Sequence, residues 1–421
     1  MRTFFLIMLL MISSALQSQE RNQFSLGQIT DSALKAFPPG RGRQLIESSY
    51  ELKNSILRTS LMPSAILNAQ ASYQSDVTKL DIPMPGFQAP ELAKDWYKVN
   101  VDLSQVVYDG GLVQAKMNYE SADFLLQINK IEQAEEQLKT QVSDLFFGIL
   151  MINNKIRILK VAISNLESMI AETTYKVERG ILLKSELASL KSSLLRYRQQ
   201  LTEAHASRDA SLAMLSSLCH MTIDQSDSLV LPPYYPTKEY VINRKDAAEY
   251  GLLHSRAEGL KMTEISKRRP TLGLFGQAGY GRPGYNMLDD SFDHYFMVGV
   301  RLQYKIWDWN TKKHSLQLIG LQQQQTKLAQ ENYNLQHQGK WKAMQEELRQ
   351  YDELISLDLE IIQLQQSVVT TSQAQFNNGD ITGSAFVVEF NKHHQAILEL
   401  ENHKIMQSKK AYEIMLFTGI Q

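Results

Sequence analysis

The chain has 421 residues, enough for two or three ordinary domains or for one large repeated architecture. Its 44 basic and 45 acidic residues leave a formal net charge of -1, which provides neither a basic footprint for nucleic acid nor an acidic solvating tail. The one cysteine, Cys219, excludes a disulfide framework, and its distance from the N-terminus excludes a lipidated mature terminus.

Residues 1–18 read as a secretory signal peptide. Arg2 supplies a positive start, Phe4 to Ile12 an unbroken apolar stretch, and Ser13 to Ser18 a small, polar exit. The apolar stretch is shorter than the roughly 20 residues a spanning helix needs, and no later stretch reaches that length. No α-helical membrane anchor is expected after cleavage.

Residues 19–218 form a first repeat, which opens with short helices and continues with strands at about 64–74 and 96–109. Leu67 to Tyr73 alternates weakly with small residues. Tyr97, Val99, Val101 and Leu103 alternate cleanly with Lys98, Asn100, Asp102 and Ser104, which makes a two-faced strand. Runs near the roughly 9 to 11 residues of a tilted membrane strand, with Tyr73, Trp96 and Tyr97 toward their ends, fit a transmembrane barrel. A soluble antiparallel sheet fits the same alternation.

The period then changes. Leu138, Val142, Leu145, Ile149, Ile152, Ile156, Leu159, Ile163, Leu166 and Ile170 step by alternating fours and threes, the seam of a coiled coil. From about Leu112 to Lys176 only Gly148 interrupts the pattern, predicting a helix of roughly 100 Å at 1.5 Å per residue. A breaker at Glu178-Arg179-Gly180 precedes a returning helix from about Ser185 to Leu218. Residues 219–245, with Pro232, Pro233 and Pro236, form a linker expected to pack against the outside of the helices.

The second half repeats the first. Val300 to Asp308 (VRLQYKIWD) aligns with Val101 to Asp109 (VDLSQVVYD) at an offset of 199, which also pairs Gly180 with Gly379 and Ser185 with Ser384. Pro63 to Tyr73 matches Pro270 to Tyr280 at offset 207. Residues 246–421 therefore carry a short helix, strands at about 270–281 and 295–308, and a second helical hairpin. Its long helix shows Trp341, Met344, Leu348, Tyr351 and Ile355, with Gln322 to Gln325 on its solvated side. Its tip lies near 379 and its returning helix runs from about Ser384 to Phe417.

Motifs for chemistry are missing. Gly279-Tyr-Gly281-Arg-Pro-Gly284 matches the dinucleotide pattern but leads into a polar loop instead of opening a helix, so a strand-connecting turn is expected there. His393 and His394 are adjacent and cannot share a helix face as ligands three or four apart would; they read as surface or interhelical residues. No nucleophile elbow, zinc-binding helix or phosphate loop occurs, so no enzyme, metal or cofactor is expected.

The order of elements, Pro63-Ser-Ala, the strand ending in Tyr108-Asp-Gly-Gly-Leu112, and the hairpin glycines each followed by an amphipathic helix resemble the TolC family of outer-membrane efflux proteins across the mature chain. The resemblance implies a mixed α and β fold. In it a homotrimer shares one twelve-stranded transmembrane β-barrel, four strands per subunit, continued by a periplasmic α-helical coiled-coil barrel. It implies the outer membrane of a Gram-negative bacterium and a passive export conduit for efflux or type I secretion. The implied partners are outer-membrane lipid, a periplasmic adaptor and an inner-membrane pump of RND, ABC or MFS type, with no nucleic acid. Adaptor docking would fall at Arg179, Gly180 and Ile181 and at Asn378, Gly379 and Asp380.

Where relatives carry acidic rings beyond the second tip, this chain has Ala385 and Val388, leaving Asp380 and Glu389 as pore-gate candidates. Ordinary surface charge, with Asp380 stabilising a helix N-terminus, explains the same two residues. A periplasmic coiled-coil adaptor or scaffold is the rival function, and a secreted enzyme with a helical insertion a third. Two equal repeats with membrane-length strands weigh against both.

Overall fold

The computed structural model describes residues 23–77, 93–224, 227–233, 240–286 and 289–419. The expected signal peptide at 1–18 lies outside the described residues, as does Pro236 of the linker.

In chain order the elements are β1 (Gln23–Ser25), α1 (Leu26–Ala36), α2 (Pro38–Arg41), α3 (Arg43–Thr59), β2 (Ser64–Tyr73), β3 (Asp95–Tyr108), α4 (Leu112–Glu178) and α5 (Lys184–Cys219). After them come β4 (Ser228–Val230), α6 (Lys245–Ser266), β5 (Thr271–Arg282), β6 (Asp293–Gln303), α7 (Thr311–Asn378) and α8 (Gly383–Thr418). The mixed α and β class expected from the sequence is what the structure has. None of the described helices is long and apolar enough to cross a membrane.

The duplication is written into the backbone. Adding 199 to the first residue of α4 gives the first residue of α7, and adding it to both ends of α5 gives both ends of α8. Left-handed residues repeat at the same offset: Gly110 and Gly111 match Trp309 and Asn310, Gly180 matches Gly379, and His220 matches Gly419. The turns that start and stop the helices were thus retained while side chains diverged. At the strand-to-helix turn the preceding aspartate closes the corner in both halves. Asp109 accepts from the Gly111 and Val113 amides at 2.8 and 2.6 Å, and Asp308 accepts from the Lys312 amide at 3.1 Å.

Two compact units divide the chain. One comprises Met1–Gly42, Lys130–Ala247 and Asn332–Gln421. In it, Ser25 and Gln28 form a reciprocal capping box that starts α1. Leu26, Ile29 and Ala33 then share one face and meet Leu138, Val142 and Phe146 of α4 and Leu212, Leu215 and Cys219 of α5. Of the α4 seam, Leu138, Val142, Ile149, Ile156, Leu159 and Leu166 are buried, but so are Phe146, Phe147, Ala162 and Met169 beside it. The buried stripe is wider than a two-helix seam requires, so α4 is packed from more than one side.

The linker does more than lie against helices. Ser228–Val230 pairs in parallel with Gln23–Ser25, and the Pro232 carbonyl accepts from Ser408 Oγ at 2.9 Å. Cys219 is the last residue of α5 instead of the first of the linker, and burial pushes its thiol up to about 11. Of the two readings for His393 and His394, surface or interhelical, burial excludes the surface: both are buried on α8, with His394 edge-on to Phe390 at 4.3 Å and His393 beside it.

The other unit comprises Arg43–Asn129 and Ala248–Glu331. It contains a four-stranded antiparallel sheet of order β2-β3-β5-β6. β6 ends at Gln303, short of the expected 308. Its partner β5 begins at Thr271 opposite Gln303, and the preceding Pro270 has no N–H to extend the ladder. Gly279, Tyr280 and Gly281 lie within β5 and not in a turn, since all three pair with β3 on one side and β6 on the other; a Cβ on Gly279 would collide with the Tyr295 ring and the Val99 carbonyl, which favours glycine in this strand. Of the glutamine run, Gln322, Gln324 and Gln325 are exposed while Gln323 donates to Glu258 at 2.7 Å.

Candidate channel surfaces

Register turns the alternating pattern into two faces. Leu67, Val101, Ala278 and Phe296 stand opposite one another across all four strands, as do Ala65, Leu103, Gly276 and Val298. These rows form an apolar face that is bare in the single chain, with Leu67, Phe296 and Val298 exposed by 70%, 78% and 77%. So broad an apolar surface needs a non-aqueous neighbour. Aromatic residues bracket it. Tyr97 and Tyr280 stack with Phe292 at 6.3 and 5.6 Å at one end, and Tyr108, Tyr304, Trp307 and Trp309 are exposed at the other. The eleven steps from Tyr97 to Tyr108 span about 36 Å at ~3.3 Å each, which a ~45° tilt reduces to about 25 Å, the height of an outer-membrane barrel's apolar band.

The opposite face is polar. Its rows are Asn68, Asn100, Gly279 and Tyr295, then Ile66, Asp102, Gln277 and Met297. Asp102 accepts from Asn68, Asn100 and Gln277 at 2.7, 2.7 and 2.6 Å. Alternation placed Asn100 and Asp102 on the polar side, but only strand register shows that Asn68 and Gln277 converge on them.

Each hairpin tip is closed by a left-handed glycine, Gly180 at φ 75° and Gly379 at φ 85°. Following them, Ile181 N–H reaches back to the Lys176 carbonyl and Asp380 N–H to the Gln375 carbonyl, each at 2.9 Å, which ends the long helices with a Schellman-type turn. Arg179 lies 4.2 Å from the Tyr175 ring, while Ile181 and Leu183 are 63% and 69% exposed. Asn378, Gly379 and Asp380 are exposed too.

Asp380 stands three residues before the first residue of the returning helix, outside its cap. Thr382 is the N-cap and accepts from the Ala385 amide at 3.2 Å, because its side chain is two residues closer to the unpaired amides. Glu389 is half-buried and bound to Lys392 at 2.8 Å.

The two tips are tied together by residues that sequence reasoning missed. The Glu186 carboxylate accepts from the Gly383 amide, and Lys176 Nζ lies 3.3 Å from Asn377 Oδ1. A Cβ on Gly383 would press against Glu186 and the Phe376 ring, which favours glycine there. Beneath them Leu166, Leu190, Phe376, Phe386 and Phe390 form one core. Tyr197 donates to Asn391 at 2.7 Å, and burial pushes its phenol up to about 12. Burial, aided by His393, pulls His394 down to about 4. A threonine two residues before an amphipathic run could have identified the Thr382 cap from sequence; nothing local announces Glu186.

Residues 52–219 match the family model described as outer membrane efflux protein. No curated protein sequence matches the chain. Among solved structures, the outer membrane protein VceC of Vibrio cholerae superposes with a TM-score of 0.71 at 13% identity, covering 93% of this chain and 94% of its own. The CmeC outer membrane channel of Campylobacter jejuni gives 0.70 at 15% identity over 94% and 85%. The open MtrE outer membrane channel of Neisseria gonorrhoeae gives 0.70 at 15% identity over 94% and 88%. Residues 52–219 of the chain are thus similar in sequence to the outer membrane efflux proteins, and the chain as a whole shares the fold of these solved outer-membrane channels.

Proposed function

We propose that the protein is the outer-membrane channel subunit of a tripartite efflux or type I secretion system and acts as a passive conduit without catalysis. The observation that carries this is the four-stranded sheet, apolar on one face, polar on the other and, among the described residues, unpaired along the outer edges of β2 and β6. Four strands cannot close a barrel, since small barrels need about eight. Unpaired strand edges inside a bilayer are untenable, so three copies joining β6 of one to β2 of the next supply both closure and a water-filled interior. Fractionation tests this. The protein should pellet with outer membranes, resist salt washing and extract as a trimer in detergent; a salt-washable monomer would overturn it and favour a periplasmic scaffold.

The exposed tips Arg179, Gly180, Ile181, Asn378, Gly379 and Asp380 are the proposed docking points for a periplasmic adaptor, itself coupled to an inner-membrane pump. Bare Ile181 and Leu183 at a helix turn offer apolar contacts for a partner's hairpin. Single cysteines at 181 and 380 should crosslink to a co-expressed adaptor, and no crosslink at either would remove the assignment. Of the two gate candidates, Glu389 is held by Lys392, which leaves Asp380 as the carboxylate with the freer approach to a pore. Asp380→Asn channels with unchanged ion selectivity would end its candidacy.

A further inference from the structure

Asp102 sits midway along the polar face and is held by amides alone. Its Oδ1 accepts from Asn100 Nδ2 and Gln277 Nε2, and its Oδ2 from Asn68 Nδ2, at 2.6 to 2.7 Å, so donors from three strands fix its direction. Amides bring no compensating charge. The cations on the same face are engaged elsewhere: Lys98 Nζ lies 5.3 Å from the Trp96 ring, and the Arg301 guanidinium lies 5.0 Å from the Phe275 ring. Lys98 also shares its row with Asp293. Lys98 is four residues from Asp102 along β3, and Arg301 is four from Met297, which shares the Asp102 row. At ~3.3 Å per residue each stands about 13 Å along the strands from the Asp102 row, and Arg301 is two strands across as well, beyond the ~8 Å screening length at physiological ionic strength.

A second observation marks the same row. Tyr285, from the segment after β5, folds back over the polar face. Its hydroxyl donates to Gln277 Oε1 at 2.8 Å and its ring packs edge-on against Tyr295 at 4.8 Å. The row with the uncompensated carboxylate is therefore the row over which an aromatic side chain projects.

We propose that Asp102 is the charge-selecting residue of the barrel interior, favouring cations over anions at the level where Tyr285 narrows it. This rests on the conduit function proposed above. The chemistry that Asp102 selects is positive charge, in inorganic cations and in cationic groups of exported molecules alike.

The test uses purified full-length protein in planar bilayers across a gradient of dilute KCl. Wild-type channels should prefer K⁺. Asp102→Asn should lower the cation-to-anion permeability ratio by about a factor of two or more, Asp102→Glu should keep it, and the contrast should fade near 1 M salt, where the screening length is ~3 Å. Asp102→Cys provides a reading on one and the same channel, since Cys219 is buried. A cationic thiosulfonate should push the ratio toward anions and an anionic one toward cations. An unchanged ratio in Asp102→Asn, equal losses in the Asn and Glu variants, or a cysteine channel indifferent to reagent charge would overturn the proposal. Wild-type protein that forms no channels would remove the conduit itself, a failure plainly different from a channel with the wrong selectivity.

Discussion

The long helices α4 and α7 are one element used twice, yet they bury different surfaces. α4 hides Leu138, Val142, Phe146, Phe147, Ile149, Ile156, Leu159 and Leu166 within the chain. Among its apolar residues α7 buries Met344, Leu348, Val369 and Phe376, and it leaves Leu357, Ile361, Leu364 and Val368 exposed at intervals of four, three and four. That spacing is a second coiled-coil seam. Duplication preserved the backbone, and divergence assigned one copy to the chain's own core and the other to a surface that the proposed trimer would cover.

The widest separation between the halves should come from truncating each seam. Leu166→Ala, at a fully buried position, is expected to lower the midpoint of thermal or denaturant unfolding by the equivalent of ~2–5 kcal/mol. Leu364→Ala, 69% exposed, should leave subunit folding almost untouched and instead reduce the trimer fraction in detergent. A large loss of subunit stability from Leu364→Ala would break the comparison.

Acid should distinguish the returning helices next. Exposed Leu195 occupies in α5 the place that buried His394 occupies in α8. With the folded imidazole lowered by burial and by His393 to about 4, against ~6.5 when unfolded, the unfolded chain binds more protons between those values. Stability is therefore complete above about pH 6.5 and declines as pH falls toward 4, by up to about 3 kcal/mol at ~1.36 kcal/mol per unit. Unfolding titrations should show His394→Gln flattening most of that slope.

The strand-to-helix turns give a smaller pair of opposite effects. Trp309 sits at φ 53° where the first half uses Gly110. Trp309→Gly should relieve ~1 kcal/mol of backbone strain, and Gly110→Ala should cost more than the ~1–2 kcal/mol of its left-handed backbone, because its Cβ would strike Arg269. Paired melting curves would show the contrast in sign. If the exposed Trp309 anchors the aromatic girdle, the glycine variant should also fluoresce less in lipid and bind membranes more weakly.

The smallest effect is expected at the caps. Thr382 caps α8 with its hydroxyl, while Leu183, at the equivalent place before α5, has no side-chain cap. Thr382→Ala should cost ~1 kcal/mol, and Leu183→Ser should stabilise its hairpin by a comparable amount. Hydrogen exchange at the two tips would register both.

The repeat, the two periods and the tip glycines were legible in the sequence because each is local or recurs at one offset. Strand ends were less so. Nothing in Tyr304 to Asp308 says that pairing stops at Gln303, since that depends on Pro270 across the ladder. For His393 and His394 the sequence left surface and interhelical places open, because adjacent residues point to different sides of a helix and burial depends on what packs against each.

Composition, alternation and the offset of 199 by themselves determined the class of the fold, the two-faced strands and the helical hairpins, because hydrophobic periodicity and turn residues act through neighbours in the chain. Only the tertiary structure decided which groups meet: three amides around Asp102, Tyr285 over Gln277, and Glu186 at the Gly383 amide. Those contacts join residues from 34 to 197 positions apart, except for the two short-range ones within β3 and after β5, and all depend on strand register and helix packing, for which a linear pattern carries no signal.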